Sequence, residues 1–160
     1  MNSITIKIEP FAPQYQTGVD KMLDAISNEY AESFFHQHAK KMEEVYFLPE
    51  RSYWVALADG IVIGSVGIIT INGYAVLKSL FVNKKFRGNG WLVADRLMRS
   101  AIDKAKQMNC MHIYLGTMEQ FKAAQRFYEK HGYSRVQINE LPLDYSHNVL
   151  DTVFYSLQLD

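Results

Sequence analysis

Residues 82–98 read "VNKKFRGNGWLVADRLM". Two lysines, an aromatic residue and then Arg87-Gly88-Asn89-Gly90 run into a helical apolar pattern. From residue 91 to 108 apolar groups recur at Val93, Leu97, Ala101, Ile102, Ala105 and Met108, which predicts an amphipathic helix that includes Trp91 and Leu92. "YAVLKSLFV" (74–82) before it and "MHIYLGT" (111–117) after it read as strands. Strand, long helix, strand is a crossover unit, so the two strands are expected to be parallel neighbours. The segment 87–90 then lies beyond the carboxyl end of a strand and at a helix N-terminus, where unpaired N–H groups and the helix dipole attract anions. Glycine there lets an oxyanion reach the backbone, and a phosphate or pyrophosphate is the natural guest. A lone Gly-x-Gly is also compatible with a plain turn carrying an exposed arginine.

Two common phosphate readers are excluded. The dinucleotide fingerprint needs a small residue where this chain has Val93, and an acid near the end of the next strand, where it has Leu115-Gly116-Thr117. No Gly-x-x-x-x-Gly-Lys-Ser/Thr loop is present.

Working outward, "ITIKIEPF" (4–11) alternates as a strand, and residues 14–47 read as two helices, the first presenting Met22, Leu23, Ile26 and Tyr30 on one face. "SYWVALADGIVIGSVGIITI" is a hairpin turning at Asp59-Gly60, residues that accept a positive φ. A helix over 120–131 stops at Gly132, followed by strands near 133–138 and 152–159. Antiparallel strands first and one crossover later give an α/β class with a mixed sheet of about seven strands and helices on both faces.

The chain has 160 residues, enough for one well-buried core, and is read as a single domain over 1–160. Lys plus Arg and Asp plus Glu both number 17, so no global field recruits nucleic acid or an anionic membrane, and an anion must be held locally. No apolar run approaches the roughly 18 residues of a membrane span. Residues 1–10, "MNSITIKIEP", lack a signal-peptide core, so a cytoplasmic location is expected. The single cysteine, Cys110, excludes an internal disulfide and a cysteine-rich zinc site.

Two segments together carry a family resemblance. "LFVNKKFRGNGWLVADRLM" with "AAQRFYEKHGY" (123–133) resembles the GNAT superfamily of acetyl-CoA-dependent N-acetyltransferases. The first matches its Arg/Gln-x-x-Gly-x-Gly/Ala cofactor loop; the second matches its Ala-x-x-Phe-Tyr-Glu-Lys-x-Gly-Phe helix at Ala124, Phe127, Tyr128, Glu129, Lys130, Gly132 and Tyr133. The resemblance implies a GNAT-like fold and acetyl transfer to a primary amine by direct attack in a ternary complex, with acetyl-CoA as co-substrate and no metal. It implies that backbone amides of Arg87, Gly88, Asn89, Gly90, Trp91 and Leu92 seat the pyrophosphate. The pantetheine arm is expected to add like a strand along Leu80, Phe81 and Val82, where a backbone N–H polarises the thioester carbonyl. Tyr128 is implied as the general acid that returns a proton to the thiolate; read without the motif, it is a core tyrosine. A CoA or acyl-CoA binding module with little catalysis is the alternative. The acceptor class spans small-molecule amines and a peptide N-terminus or lysine, and a homodimer is compatible.

The chain departs from the family pattern at three positions. Leu92 replaces a small residue of the loop motif and is expected to crowd the phosphate approach. Phe121 stands where an asparagine commonly holds the pantetheine arm, and Thr117 is a candidate replacement for that contact. Val76 replaces a glutamate that often serves as base, which leaves the base unassigned. The long loop 139–151 carries Glu140, Asp144, Tyr145, His147 and Asp151, and His147 or Glu140 are candidates. His36 and His38 point to different helix faces, against metal ligation. Phe34, Phe35, Tyr46 and Phe47 line an acceptor pocket or pack in the core. Cys110 falls at the strand end opposite the site, against an acyl-cysteine route.

Overall fold

The computed structural model describes residues 3–29, 51–88 and 90–160. Strands β1 (Ile6–Pro10), β2 (Arg51–Ala58), β3 (Ile61–Ile71), β4 (Tyr74–Val82), β5 (His112–Thr117), β6 (Ser134–Val136) and β7 (Val153–Gln158) join one sheet in the order β1-β2-β3-β4-β5-β7-β6. All neighbours are antiparallel except β4 and β5. Helices α1 (Gln16–Ser27), α2 (Val93–Gln107) and α3 (Lys122–Lys130) pack on it. Tyr30, expected on the first helix, and the expected second helix, with Phe34, Phe35, His36, His38, Tyr46 and Phe47, lie outside the described residues, as does Asn89.

Period-two alternation sorts the two faces. Ala75 and Leu77 of β4 with Ile113 and Leu115 of β5 join Val93, Leu97, Met98, Ala101 and Ala105 of α2 in the larger core, which also takes in Tyr128 of α3. The opposite face of the first strands, Tyr53, Val55, Leu57 and Val62, packs on Val19, Met22 and Ile26 of α1. Helices therefore cover both faces. The hairpin turns at Asp59-Gly60 as expected (φ 48° and 85°), and Asn72-Gly73 makes a second such turn (φ 43° and 89°).

Close packing fixes α2 against the sheet. A Cβ placed on Gly64 of β3 would lie 3.1 Å from Leu97 Cδ1 and 3.2 Å from Val93 Cγ1, so a side chain there would force the first turns of α2 to give way, and glycine lets them pack this near to β3. The helix begins at Val93 and not at residue 91 because Leu92 is left-handed, with φ 56° and ψ 29°. Trp91 precedes it, packed edge-on against Phe86 with ring centroids 5.0 Å apart.

Candidate active site

The parallel pair at the centre of the sheet is short. β4 and β5 align only at Tyr74–His112, Ala75–Ile113 and Val76–Tyr114. Beyond Val76, β4 continues to Val82 with no strand partner on that edge among the described residues. On its other edge the register with β3 shifts between Ser65 and Gly67, at the level of Ser79, whose φ of 57° marks a bulge. The Ser65 hydroxyl, fully buried, donates to the Ser79 carbonyl at 2.8 Å and holds the bulge in place. The result is a gap between β4 and β5 that opens toward their carboxyl ends, walled on one side by the β4 edge that carries Leu80, Phe81 and Val82. Ser79 was not singled out from the sequence; its signal is a lone hydroxyl inside the apolar run "LKSLF".

At the open end of β4 the chain turns through residues 84–86 into the glycine loop. Gly88, Gly90 and Leu92 all have positive φ, at 64°, 79° and 56°. An added Cβ at Gly88 or Gly90 would find nothing within 4 Å, so the backbone is bare toward open space. The first helical bond of α2 is Arg96 N–H to the Leu92 carbonyl at 3.0 Å, which leaves the N–H groups of Val93, Ala94 and Asp95 ahead of it without a helical acceptor. Those donors, the dipole end and the bare loop suit a phosphate. Arg87 acts from behind the loop. Its Nε donates to the Val82 carbonyl at 2.7 Å, and its two terminal nitrogens fork onto Glu29 at 2.6 and 2.8 Å, tying β4, the loop and the turn after α1 together.

Tyr128 lies in α3, only 7% exposed, with its ring 5.7 Å from both Tyr133 and Tyr155. Burial first, then the negative charge of Asp151 and the nearby Tyr155, raise its phenol well above the ordinary tyrosine range, so the proton stays on the oxygen. The helix is fixed to α2 by His131 Nε2 and Asp95 Oδ1, 2.8 Å apart, and to β7 by the Tyr155 hydroxyl, which donates to Glu129 at 2.6 Å.

Across the sheet from α3, the segment leading into β7 packs on the face carrying Tyr74, His112 and Tyr114. Tyr145 meets Tyr114 edge-on, with centroids 6.4 Å apart, and Asp144 accepts from the Tyr74 hydroxyl at 2.9 Å and from Asn72 Nδ2 at 2.7 Å. Those two bonds hold the Asp144 carboxyl below the usual range, while burial and then the Asp144 bond push the Tyr74 phenol up to about 12.

The model of the acetyltransferase (GNAT) family matches residues 20–133. The chain belongs to that family. The uncharacterized N-acetyltransferase YjgM of Escherichia coli is 29% identical over 100 residues, 60% of this chain and 59% of that protein, so the matched region spans little more than half of the relative. A GNAT-family acetyltransferase from Staphylococcus aureus superposes with a TM-score of 0.88 at 24% identity, covering 98% of this chain and all of the other. YncA of Salmonella typhimurium, a putative acetyltransferase solved with its cofactor acetyl-CoA, superposes at 0.73 with 17% identity, covering 97% and 94%. Both superpositions extend over nearly the whole of this chain.

Within the GNAT frame the three departures acquire local explanations. Leu92 does not sit inside the helix as its spacing predicts; it is the residue before α2 in a left-handed conformation, with its side chain 59% exposed. That conformation is the one glycine adopts most readily, so leucine there carries backbone strain. Phe121 precedes the first turn of α3, and its carbonyl accepts from Gln125 N–H at 3.1 Å. The buried Gln125 side chain donates to the carbonyls of Met118 and Glu119, both at 3.0 Å, bracing the link between β5 and α3. Thr117 is buried at the end of β5, and its carbonyl accepts from Thr152 N–H at 2.9 Å. Val76 is buried at the last β4–β5 pair and carries no titratable group. Of the two candidate bases, Glu140 is engaged in a local turn, accepting from Gln137 N–H at 2.8 Å, and His147 stacks edge-on against Phe154 with centroids 5.3 Å apart. Cys110 is buried before β5, at the end away from the gap, and burial pushes its thiol up.

Proposed function

We propose that the protein transfers the acetyl group of acetyl-CoA to a primary amine by direct attack, both substrates being bound at once in a single domain spanning residues 1–160. The observation that carries this is the gap between β4 and β5, flanked by a bare glycine loop at one helix N-terminus and by a protonated, buried tyrosine on another helix. The local geometry fits the co-substrate. Gly88, Gly90, Leu92 and the first turn of α2 offer backbone donors for a pyrophosphate, the Arg87 and Trp91 N–H groups being engaged with the Lys84 and Gly88 carbonyls at 3.3 and 3.1 Å, and the β4 edge beyond Val76 offers a strand-like seat to an extended amide-bearing arm. Acetyl-CoA supplies an activated thioester whose acetyl group moves to nitrogen and whose sulfur leaves as thiolate. The protein's part is to hold these groups in line, to exclude water with the aromatic wall of Tyr114 and Tyr145, and to keep a proton ready on the Tyr128 hydroxyl.

All of these residues lie on one chain, so the chemistry does not require a homodimer. A cytoplasmic location goes with the proposal, since acyl-CoA thioesters are kept inside cells. The deciding experiment is free-thiol release from acetyl-CoA across a panel of polyamines, aminoglycosides, amino acids and peptides. Release with at least one amine is expected. Acetyl-CoA at about 100 times its dissociation constant should also add about 2.7 kcal/mol of apparent stability, read as a rise in melting temperature. A rise with no release on any amine would leave a binding module; no rise at millimolar acetyl-CoA would remove the cofactor assignment as well.

A further inference from the structure

Asp151 lies one residue past the last turn of the long loop and two before β7. Its carboxylate is laid on the glycine of β5: a Cβ placed on Gly116 would stand 2.5 Å from Asp151 Oδ2 and 2.8 Å from its Cγ. The loop is braced to keep it there. Asp151 N–H donates to the Asn148 carbonyl at 3.0 Å, Asn148 N–H donates back to Asp151 Oδ2 at 3.3 Å, and Leu150 N–H donates to the Asn148 side chain at 2.9 Å. One residue later Thr152 bonds the Thr117 carbonyl at the tip of β5. Glycine at 116 is thus explained by a carboxylate that needs its space.

The register tells which way this carboxylate faces. Gly116 shares a sheet face with His112 and Tyr114, and by the Tyr74–His112 pairing that is also the face of Val76 and Lys78 on β4. Gly116 is the second residue of β5 beyond its last pair with β4, so Asp151 stands beside the gap on the face opposite α3. Tyr128, on the α3 face, still feels its charge. Among the described residues no cation forms an ion pair with Asp151. The titratable groups facing it are Lys78 of β4, His147 and Tyr145 of the loop, and Tyr128 of α3.

We propose that Asp151 is the general base of the acetyl transfer, receiving the acceptor as an ammonium on the Tyr114–Gly116 face of the gap and taking one proton from its nitrogen. This deepens the acetyltransferase assignment and rests on it. The N–H bond breaks, the proton goes to a carboxylate oxygen of Asp151, and the nitrogen lone pair is freed for the C–N bond. When the C–S bond breaks, Tyr128 gives its proton to sulfur. The second proton shed by the nitrogen as it becomes an amide restores the phenol, and the proton on Asp151 leaves to solvent, so one proton is released per turnover. Base and acid thus approach the gap from opposite faces of the sheet, which keeps the proton taken up from the amine apart from the one delivered to sulfur. The half-buried setting suits the role: burial raises the Asp151 carboxyl above its ordinary value, outweighing the Asn148 N–H bond and the charges of Lys78 and His147 that lower it, and a stronger base results.

The test is Asp151→Asn, an isosteric change that keeps an oxygen for Asn148, assayed as kcat/KM against pH on an amine that the wild type accepts. The wild type is expected to rise along an acid limb set by Asp151 and then level off. The variant, able to use only amine that is already neutral, should instead climb tenfold per pH unit up to the amine's own pKa, falling about 10² to 10⁴ below wild type near neutrality. Acetyl-CoA should raise the melting temperature of both proteins equally. A second readout needs no turnover: in ¹³C spectra of the free protein, the carboxyl signal missing from Asp151→Asn should titrate above the ordinary aspartate value of about 3.9. Because a raised carboxyl favours folding below its unfolded pKa and loses that contribution as pH rises through the folded one, the variant should melt no lower than wild type at pH 7. Superimposable pH profiles, or an acid limb abolished by His147→Asn and kept in Asp151→Asn, would overturn the assignment while leaving acetyl transfer standing. A wild type that releases no thiol with any amine would overturn both.

Discussion

The loop at 87–92 and the loop at 141–152 flank the same gap and are built on opposite principles. The first works with its backbone: left-handed glycines, bare N–H groups and a helix dipole, with Arg87 turned away to brace it from behind. The second works with side chains, Tyr145 on Tyr114 and Asp151 over Gly116, brought to the site by the return of β7 beside β5. A backbone site must use the few residues that tolerate its conformation, so it leaves a local signature. A side-chain site made by tertiary contact can use almost any loop spacing and leaves none.

The largest expected difference between the two sides concerns the tyrosine that serves neither loop. Tyr128→Phe keeps the ring that packs on Tyr133 and Tyr155 and removes only the hydroxyl. On a competent amine kcat should fall about 10² to 10⁴, with acetyl-CoA affinity nearly unchanged. An unaltered kcat, with chemistry rate-limiting in the wild type, would return Tyr128 to a purely structural role. Next comes the backbone loop. Gly90→Val puts a β-branched residue at φ 79°, a strain of about 1 to 3 kcal/mol, and fills the open space beside the loop. Calorimetry should show acetyl-CoA bound at least about tenfold more weakly; equal affinity would dissolve the contrast with the side-chain loop. The smallest effect is Leu92→Gly. Relief of a left-handed leucine is worth about 1 to 2 kcal/mol and glycine's extra chain entropy costs about 0.5 to 1, so thermal melting should show a gain of about 1 kcal/mol or less. A loss of stability would mean that the leucine makes contacts worth more than its strain.

The same contrast governs how far the sequence could be read. The mixed sheet, the parallel β4–β5 pair and the hairpin at Asp59-Gly60 followed from periodicity and turn chemistry, and the glycine loop followed from its motif. The helix begins two residues later than its apolar spacing predicts, because that spacing does not register a single left-handed residue such as Leu92. The Ser79 bulge escaped for the same reason: it depends on Ser65, fourteen residues away on a neighbouring strand. Arg87 read as the opening residue of the loop motif, whereas its side-chain partner Glu29 lies 58 residues earlier and could not be paired with it by spacing. Asp151 stood in view within the long loop, yet nothing local separated it from Glu140 or His147; only its seat against Gly116, where a Cβ would not fit, does.

The short β4–β5 pairing has a consequence for how the chain assembles. Strands β1 to β4 are a meander of successive antiparallel neighbours drawn from residues 6–82, and β5, β7 and β6 come wholly from 112–158. Each half can be wired from contacts within its own stretch of sequence, and the two meet as strands along three residue pairs. The thin seam is therefore also the join between the two halves of the fold, and the site becomes complete only when both halves of the polypeptide are in place.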